Sequence, residues 1–188
     1  MILGEFNMRN NNDRFTFSTI QIAVLGVLIA LGLVLSRTTI ALGPSNQLSF
    51  GFIVNAIIGI LYGPWVAGFA GMADDLLQSF LFGVQGTFFI GFTLTAFVGS
   101  FIYGWFLHRK NITWKHVFLS VLFNTVITNL IMNTLWIHIL YQTPFVVLLA
   151  SRIPQNLIMA PIRFIVIYLI TKNTQMNRVF DRYATKRK

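Results

Sequence analysis

The stretch FTFSTIQIAVLGVLIALGLVLSR at residues 15–37 has no charge before its closing Arg37 and no proline. It matches the roughly 20 apolar residues that carry a helix across a bilayer. It lacks an A-x-A-like cleavage site and is followed by further apolar runs, so it reads as a retained membrane helix rather than a removable signal. The same reading extends outward to spans at about 48–62, 65–82, 88–107, 114–141 and 153–171. In hydrocarbon a chain must satisfy its own backbone hydrogen bonds, which leaves helices or a closed barrel. A barrel would show alternating segments of about ten residues, and these continuous runs do not alternate. The expected fold class is therefore an all-α membrane protein of six transmembrane helices.

Composition agrees. Of 188 residues, 55% are hydrophobic and only 10% are charged, with a mean hydropathy of +0.70. An average soluble chain is about 25% charged. Six spans consume most of the length, so a soluble catalytic or nucleotide-binding domain has no room, and any ATP would be used by another chain. Disulfides and thiolate chemistry are excluded, since there are no cysteines.

Charge sets the orientation. The formal net charge of +9 comes from 14 Lys+Arg against 5 Asp+Glu. With six spans the tails share a side with the loop at 108–115. That side collects Arg9, Arg14, Arg109, Lys110, Lys115, Lys172, Arg178, Arg182, Lys186, Arg187 and Lys188. Only Arg37 and Arg152 fall on the other side, with Arg163 inside the last span. Positive-inside statistics then put both termini in the cytoplasm and account for the basic balance without nucleic acid. Residues 1–14 are expected as a cytoplasmic N-terminal segment, 15–172 as the membrane domain and 173–188 as a basic cytoplasmic tail. The opening MILGEF reads as a cloning scar over residues 1–7, with a natural start at Met8. Outer loops are expected at 38–47, 83–87 and 142–151.

Polar groups at membrane depth each require a reason. Asp74 and Asp75, in GMADDLLQSF at 71–80, are the only acids between Asp13 and Asp181. They either pair internally with Arg37 or Arg152, or accept hydrogen bonds from a ligand. Arg37 and Arg152 either snorkel to headgroups or offer a fork to a substrate carboxylate. Asn129, Asn133 and Trp136 fall on one helical face at i, i+4 and i+7. Such a stripe either bonds a neighbouring helix or holds a flat heteroaromatic ligand by edge and face. His108 and His116 lie in a basic loop and show no metal-ligand spacing, so no metal is expected, and His138 with Tyr141 reads as interfacial. Gly26 and Ala30, with Ala23 nearby, form a small-residue face that suits a close helix contact, internal or with a partner.

Several segments in order resemble the substrate-binding S components of energy-coupling factor (ECF) vitamin transporters, and their folate-specific branch. They are VLSR at 34–37, LSFGFI at 48–53, LYGPW at 61–65, ADDLL at 73–77, GTFFIGFTLTAFVGSFIYG at 86–104, NTLWI at 133–137 and SRIPQN at 151–156. The resemblance spans nearly all of residues 15–172. It implies a six-helix protein of a bacterial plasma membrane that captures a vitamin outside. Such a protein works with a transmembrane coupling protein and two cytoplasmic ATPases. It implies no enzymatic activity and no cofactor in this chain, with folate as the transported ligand and ATP used by the partners. The ligand set it implies is Arg37, Asp74, Asp75, Gln85, Phe88, Phe89, Asn133, Trp136, Arg152 and Asn156. The face of Ala23, Gly26 and Ala30 would meet the coupling protein, although Gly26 stands where the family uses alanine.

Other readings differ in what they need. Another S component, for pantothenate or a nucleobase-like ligand, is the rival within the class, and a neutral or cationic ligand would leave the outer arginines without purpose. An intramembrane enzyme needs a Ser/His pair or a carboxylate–His cluster at depth, and only His138 approaches one. A purely structural subunit would not gather polar residues at the outer ends of several helices.

Overall fold

Glycine and proline punctuate the chain where its helices turn. In the computed structural model, which describes residues 18–43, 46–83, 88–108, 112–174, 176 and 178 (backbone alone from 39 to 48), six helices follow one another. They are α1 (Thr19–Arg37), α2 (Gly51–Tyr62), α3 (Pro64–Phe82), α4 (Ile90–Leu107), α5 (Trp114–Tyr141) and α6 (Phe145–Lys172). Four of them, α1, α4, α5 and α6, are long and apolar enough to cross a membrane. The other two fall short for identifiable reasons. α2 has only 12 residues, about 18 Å at 1.5 Å per residue. α3 is long enough at 19 residues but carries Asp74, Asp75 and Gln78.

The turn between α2 and α3 explains itself. Gly63 adopts φ 82°, a conformation open to glycine, and Pro64 starts the next helix where its missing N–H is no loss. The α5–α6 link is as tight. Gln142 closes α5 in the left-handed region, its N–H on the His138 carbonyl, and Pro144 caps α6.

Two differences from the sequence reading concern connections. The segment expected as an outer loop at 38–47 forms an antiparallel hairpin, β1 (Thr39–Gly43) with β2 (Asn46–Ser49), pairing Thr39 with Ser49 and Ile40 with Leu48. The second helix therefore starts at Gly51, later than the expected 48. The loop expected at 142–151 is mostly helix, because α6 begins at Phe145. Arg152 is thus a helical residue, and Pro154 and Pro161 lie inside α6, as bundles in lipid tolerate when neighbours re-satisfy the backbone.

Apolar packing concentrates at one end of the bundle. Val54, Ile58 and Leu61 of α2, Ala67 and Ala70 of α3, Leu107 of α4, Val117 and Val121 of α5 and Ile167 of α6 form the buried core. α2 and α4 meet backbone to backbone through Gly59 and Gly104, the close approach that small residues permit in membrane helices. His108, expected as a residue of the basic loop, instead pins the end of α4 to this core. Its Nδ1 lies 2.8 Å from the Ile60 carbonyl oxygen and its ring packs on Gly63. The opposite half of the bundle is not filled by side chains. It holds the site.

Candidate functional site

The half of the bundle beyond the apolar core encloses a cavity of about 630 Å³. Residues from the C-terminal end of α1, the N-terminal turns of α2, α3 from Gly71 onward, α4 from Phe92 to Tyr103 and the middle of α5 line it. Helices that run alternately up and down place these ends together, so one face of the bundle is both polar and hollow. Arg163, from α6, reaches it as well.

Both acids line this cavity, on adjacent positions of α3. Asp74 is 7% exposed, and its Oδ2 accepts from Gln78 Nε2 at 2.8 Å while its Oδ1 is buried with no partner. Asp75 turns the other way, and its Oδ2 accepts from Thr93 Oγ1 of α4 at 2.7 Å. Neither pairs with an arginine among the described residues, so the internal ion pairs weighed for Arg37 and Arg152 are not formed. The guanidinium of Arg37 instead lies over the Phe82 ring, 4.5 Å from its centroid, a cation–π contact at the exposed rim. Arg163 sits 5.8 Å over the Phe52 ring, and its Nε is buried without a partner. Two carboxylates and two guanidiniums therefore share one cavity while leaving polar atoms unpaired. An unmet buried polar atom is destabilising by about 1–3 kcal/mol, and a polar ligand would relieve that.

The amide wall comes from α5. Residues Thr125–Met132 form wide π turns between α-helical stretches Trp114–Asn124 and Asn133–Tyr141, and the Asn133 N–H bonds five residues back to the Thr128 carbonyl. Asn124, Thr128, Asn129 and Asn133 all line the cavity. Asn124 Nδ2 donates to the Gly99 carbonyl at 2.9 Å, and Thr128 Oγ1 donates to the Asn124 carbonyl at 2.6 Å and to its Oδ1 at 2.9 Å.

A family model described as "ECF transporter, substrate-specific component" matches residues 20–171. The chain belongs to this family. Its relatives include a protein named "Folate transporter FolT" from Clostridium novyi (strain NT), 38% identical over 160 residues that cover 85% of this chain and 92% of that protein. A second "Folate transporter FolT", from Leuconostoc mesenteroides subsp. mesenteroides, is 32% identical over 177 residues, covering 88% of this chain and 94% of that protein. Among solved structures, one described as "Crystal structure of FolT bound with folic acid" superposes with a TM-score of 0.73 at 36% identity, covering 80% of this chain and 92% of that one. Membrane-capable helices and membership of a transporter family make this a membrane transport component.

Within this ECF substrate-specific component, Arg37, Asp74, Asp75 and Asn133 of the expected ligand set line the cavity. The others stand elsewhere. Trp136 packs against Phe89, ring centroids 5.4 Å apart, and its indole N–H donates to Thr95 Oγ1 at 2.9 Å. Thr95 itself lines the cavity, so Trp136 and Phe89 back the wall rather than form it. Phe88 is exposed just before α4. Arg152 points to the Asn129 carbonyl, and Asn156 donates to the Arg152 carbonyl at 2.9 Å within its own helix. Gln85 lies outside the described residues. Ala23, Gly26 and Ala30 share an exposed face of α1, and Gly26 has nothing within 4 Å of a Cβ built on it.

Sequence reading missed Asn124 and Thr128 for a geometric reason. At about 100° per residue, nine positions put Asn124 and Asn133 on opposite sides of an α-helix. π turns, with about 4.4 residues each, return them to one side. Nothing in the sequence announces that widening. Arg163 did carry a signal, a lone cation inside a span, but no partner could be named for it.

Proposed function

We propose that this chain is the folate-capturing subunit of an ATP-driven ECF importer, and that the cavity is its folate site. The observation that carries the reading is a single polar cavity lined by both acids and two arginines, in a chain that superposes on FolT bound with folic acid. A volume of about 630 Å³ lies in the range of small-molecule sites, about 300–1,000 Å³.

Folate divides chemically as the cavity does. The pterin ring offers adjacent N–H donors to Asp74, Asp75 and the Asn133 amide. The glutamate suits Arg37 at the rim, since a guanidinium binds a carboxylate through paired hydrogen bonds. The hairpin between α1 and α2, which brings Ser49 to the cavity, is a segment to close over a ligand; the 83–87 connection lies, beyond Gly83, outside the described residues. All six helices cross a bacterial plasma membrane in this reading, the short α2 and the acid-bearing α3 included. Both termini, residues 1–14 and 173–188, lie in the cytoplasm by the charge bias. The α1 face of Ala23, Gly26 and Ala30 meets a transmembrane coupling protein, and two cytoplasmic ATPases supply the energy. The chain itself needs no cofactor or metal and performs no catalysis.

Thermal unfolding of the purified protein with folate, 5-formyl-tetrahydrofolate, pantothenate or thiamine tests the specificity. A ligand at 100 times its Kd adds about 2.7 kcal/mol to the folded state, a rise of about 5 °C or more for a chain of this size. That rise is expected with the two folates. Stabilisation by pantothenate or thiamine alone would overturn the assignment.

A further inference from the structure

Arg152 is the polar residue that the cavity leaves over. It is half-buried in α6 and does not line the cavity, and no carboxylate pairs with it among the described residues. A guanidinium at membrane depth without a counter-charge is expensive to keep. Among the described residues its hydrogen-bond partner is the main-chain carbonyl of Asn129, to which Nη1 donates at 3.2 Å.

That carbonyl lies within the π turns of α5, Thr125–Met132. Such turns usually occur singly, and a longer run needs support from its surroundings. One support comes from α4, where the Gly99 carbonyl holds the Asn124 amide at 2.9 Å. Arg152 supplies another from α6. Between these two holds stand Asn129 and Asn133, whose direction into the cavity depends on the widened turns persisting. If the segment relaxed to ordinary α turns, the positions flanking it would rotate out of register with one another.

We propose that Arg152 is a positioning residue. From outside the cavity its guanidinium clamps the Asn129 carbonyl, and so holds the π turns that aim the α5 amides at the ligand. The inference rests on the folate reading only for the choice of ligand. It replaces a direct pairing of Arg152 with the folate glutamate by an indirect role, and the two make different predictions.

The test compares wild type, Arg152→Ala and Arg152→Lys as full chains. In the ligand-free protein, amide hydrogen exchange over 125–133 is expected to quicken in the alanine variant and to stay near wild type in the lysine variant, whose ammonium also donates. Unchanged exchange in the alanine variant overturns the clamp, whatever the ligand. Calorimetry with folate and with pteroate, which lacks the glutamate, supplies the second readout. The clamp predicts that Arg152→Ala weakens both by a similar factor, about tenfold, with Arg152→Lys close to wild type. Loss confined to folate would instead show a direct contact with the glutamate. A lower melting temperature with both affinities intact would reduce Arg152 to a structural strut, and either result overturns the proposal. If wild type ignores folate and pteroate alike, the folate reading fails while hydrogen exchange still decides the clamp.

Discussion

Gly59→Val is expected to leave little or no folded protein. A Cβ at residue 59 of α2 would stand 2.7 Å from the Gly104 nitrogen and 3.0 Å from its Cα, on the facing surface of α4. Both obstacles are backbone, so no side chain can swing aside. Gly104 is itself seated on the turn that follows α2, with a Cβ built there 2.7 Å from the Pro64 nitrogen, so moving α4 away would break this contact as well. Separating the helices would open the core around Val54, Ile58 and Leu107. Overpacking of one or two methyl groups in a tight core is destabilising by about 1–3 kcal/mol, and a forced backbone separation belongs to the tail beyond about 4 kcal/mol. Size-exclusion yield and thermal unfolding in detergent measure it. Gly26→Val provides the contrast, since nothing lies within 4 Å of its Cβ, and it should fold like wild type. A Gly59→Val protein with a normal melting temperature would mean that α2 and α4 do not meet as described.

Asp74→Asn is expected to separate stability from binding, with opposite signs. The ligand-free protein keeps a nearly buried carboxylate whose Oδ1 has no partner and whose Oδ2 has only Gln78. Removing an uncompensated buried charge is neutral or stabilising, so the variant should melt at or above the wild-type temperature. Binding should move the other way. Asparagine presents a donor where the pterin also presents donors, and it gives up the charge assistance that strengthens such bonds. Truncating one partner of a buried charged hydrogen bond loses about 2–5 kcal/mol of affinity, which is about 30-fold or more. Calorimetric folate affinity and unfolding of the ligand-free protein, measured on one preparation, read both signs. Unaltered affinity would remove Asp74 from the ligand contacts. A large fall in stability would mean that the charge is structurally compensated after all.

These outcomes depend on features that the sequence discloses unevenly. The long apolar runs and the Gly63–Pro64 stop mark helices directly, because hydropathy and turn chemistry are local. Span 114–141 is legible end to end for that reason, and it coincides with α5. The start of α6 is not legible. Ser151, Arg152 and Pro154 read as a polar, broken segment, but α6 runs through them from Phe145, with Arg152 bonded across to the Asn129 carbonyl. At the site, isolated charges within spans are conspicuous, so Arg37, Asp74 and Asp75 stand out by cost alone. The roles of Trp136 and Phe89 are not conspicuous. An indole near an amide is equally suited to stack on a ligand or to back a wall, and only the contact with Thr95 separates the two. Asn124 was hidden by helical periodicity itself, which fails wherever the turns widen.

The central claim is that the cavity between these helices is where folate binds. Gly99 lines it, and a Cβ there would meet Asn124 Nδ2 at 3.4 Å, Thr128 Cγ2 at 3.5 Å and Asn124 Oδ1 at 3.8 Å, ordinary contact distances on the amide wall, so a leucine there sets its added bulk against that wall. Calorimetric titration of folate into wild type and Gly99→Leu is the most direct measurement. Wild type should take up one folate per chain, and Gly99→Leu, still folded by its melting curve, should give no binding heat. Equal titration of both proteins would place the site elsewhere and contradict the account.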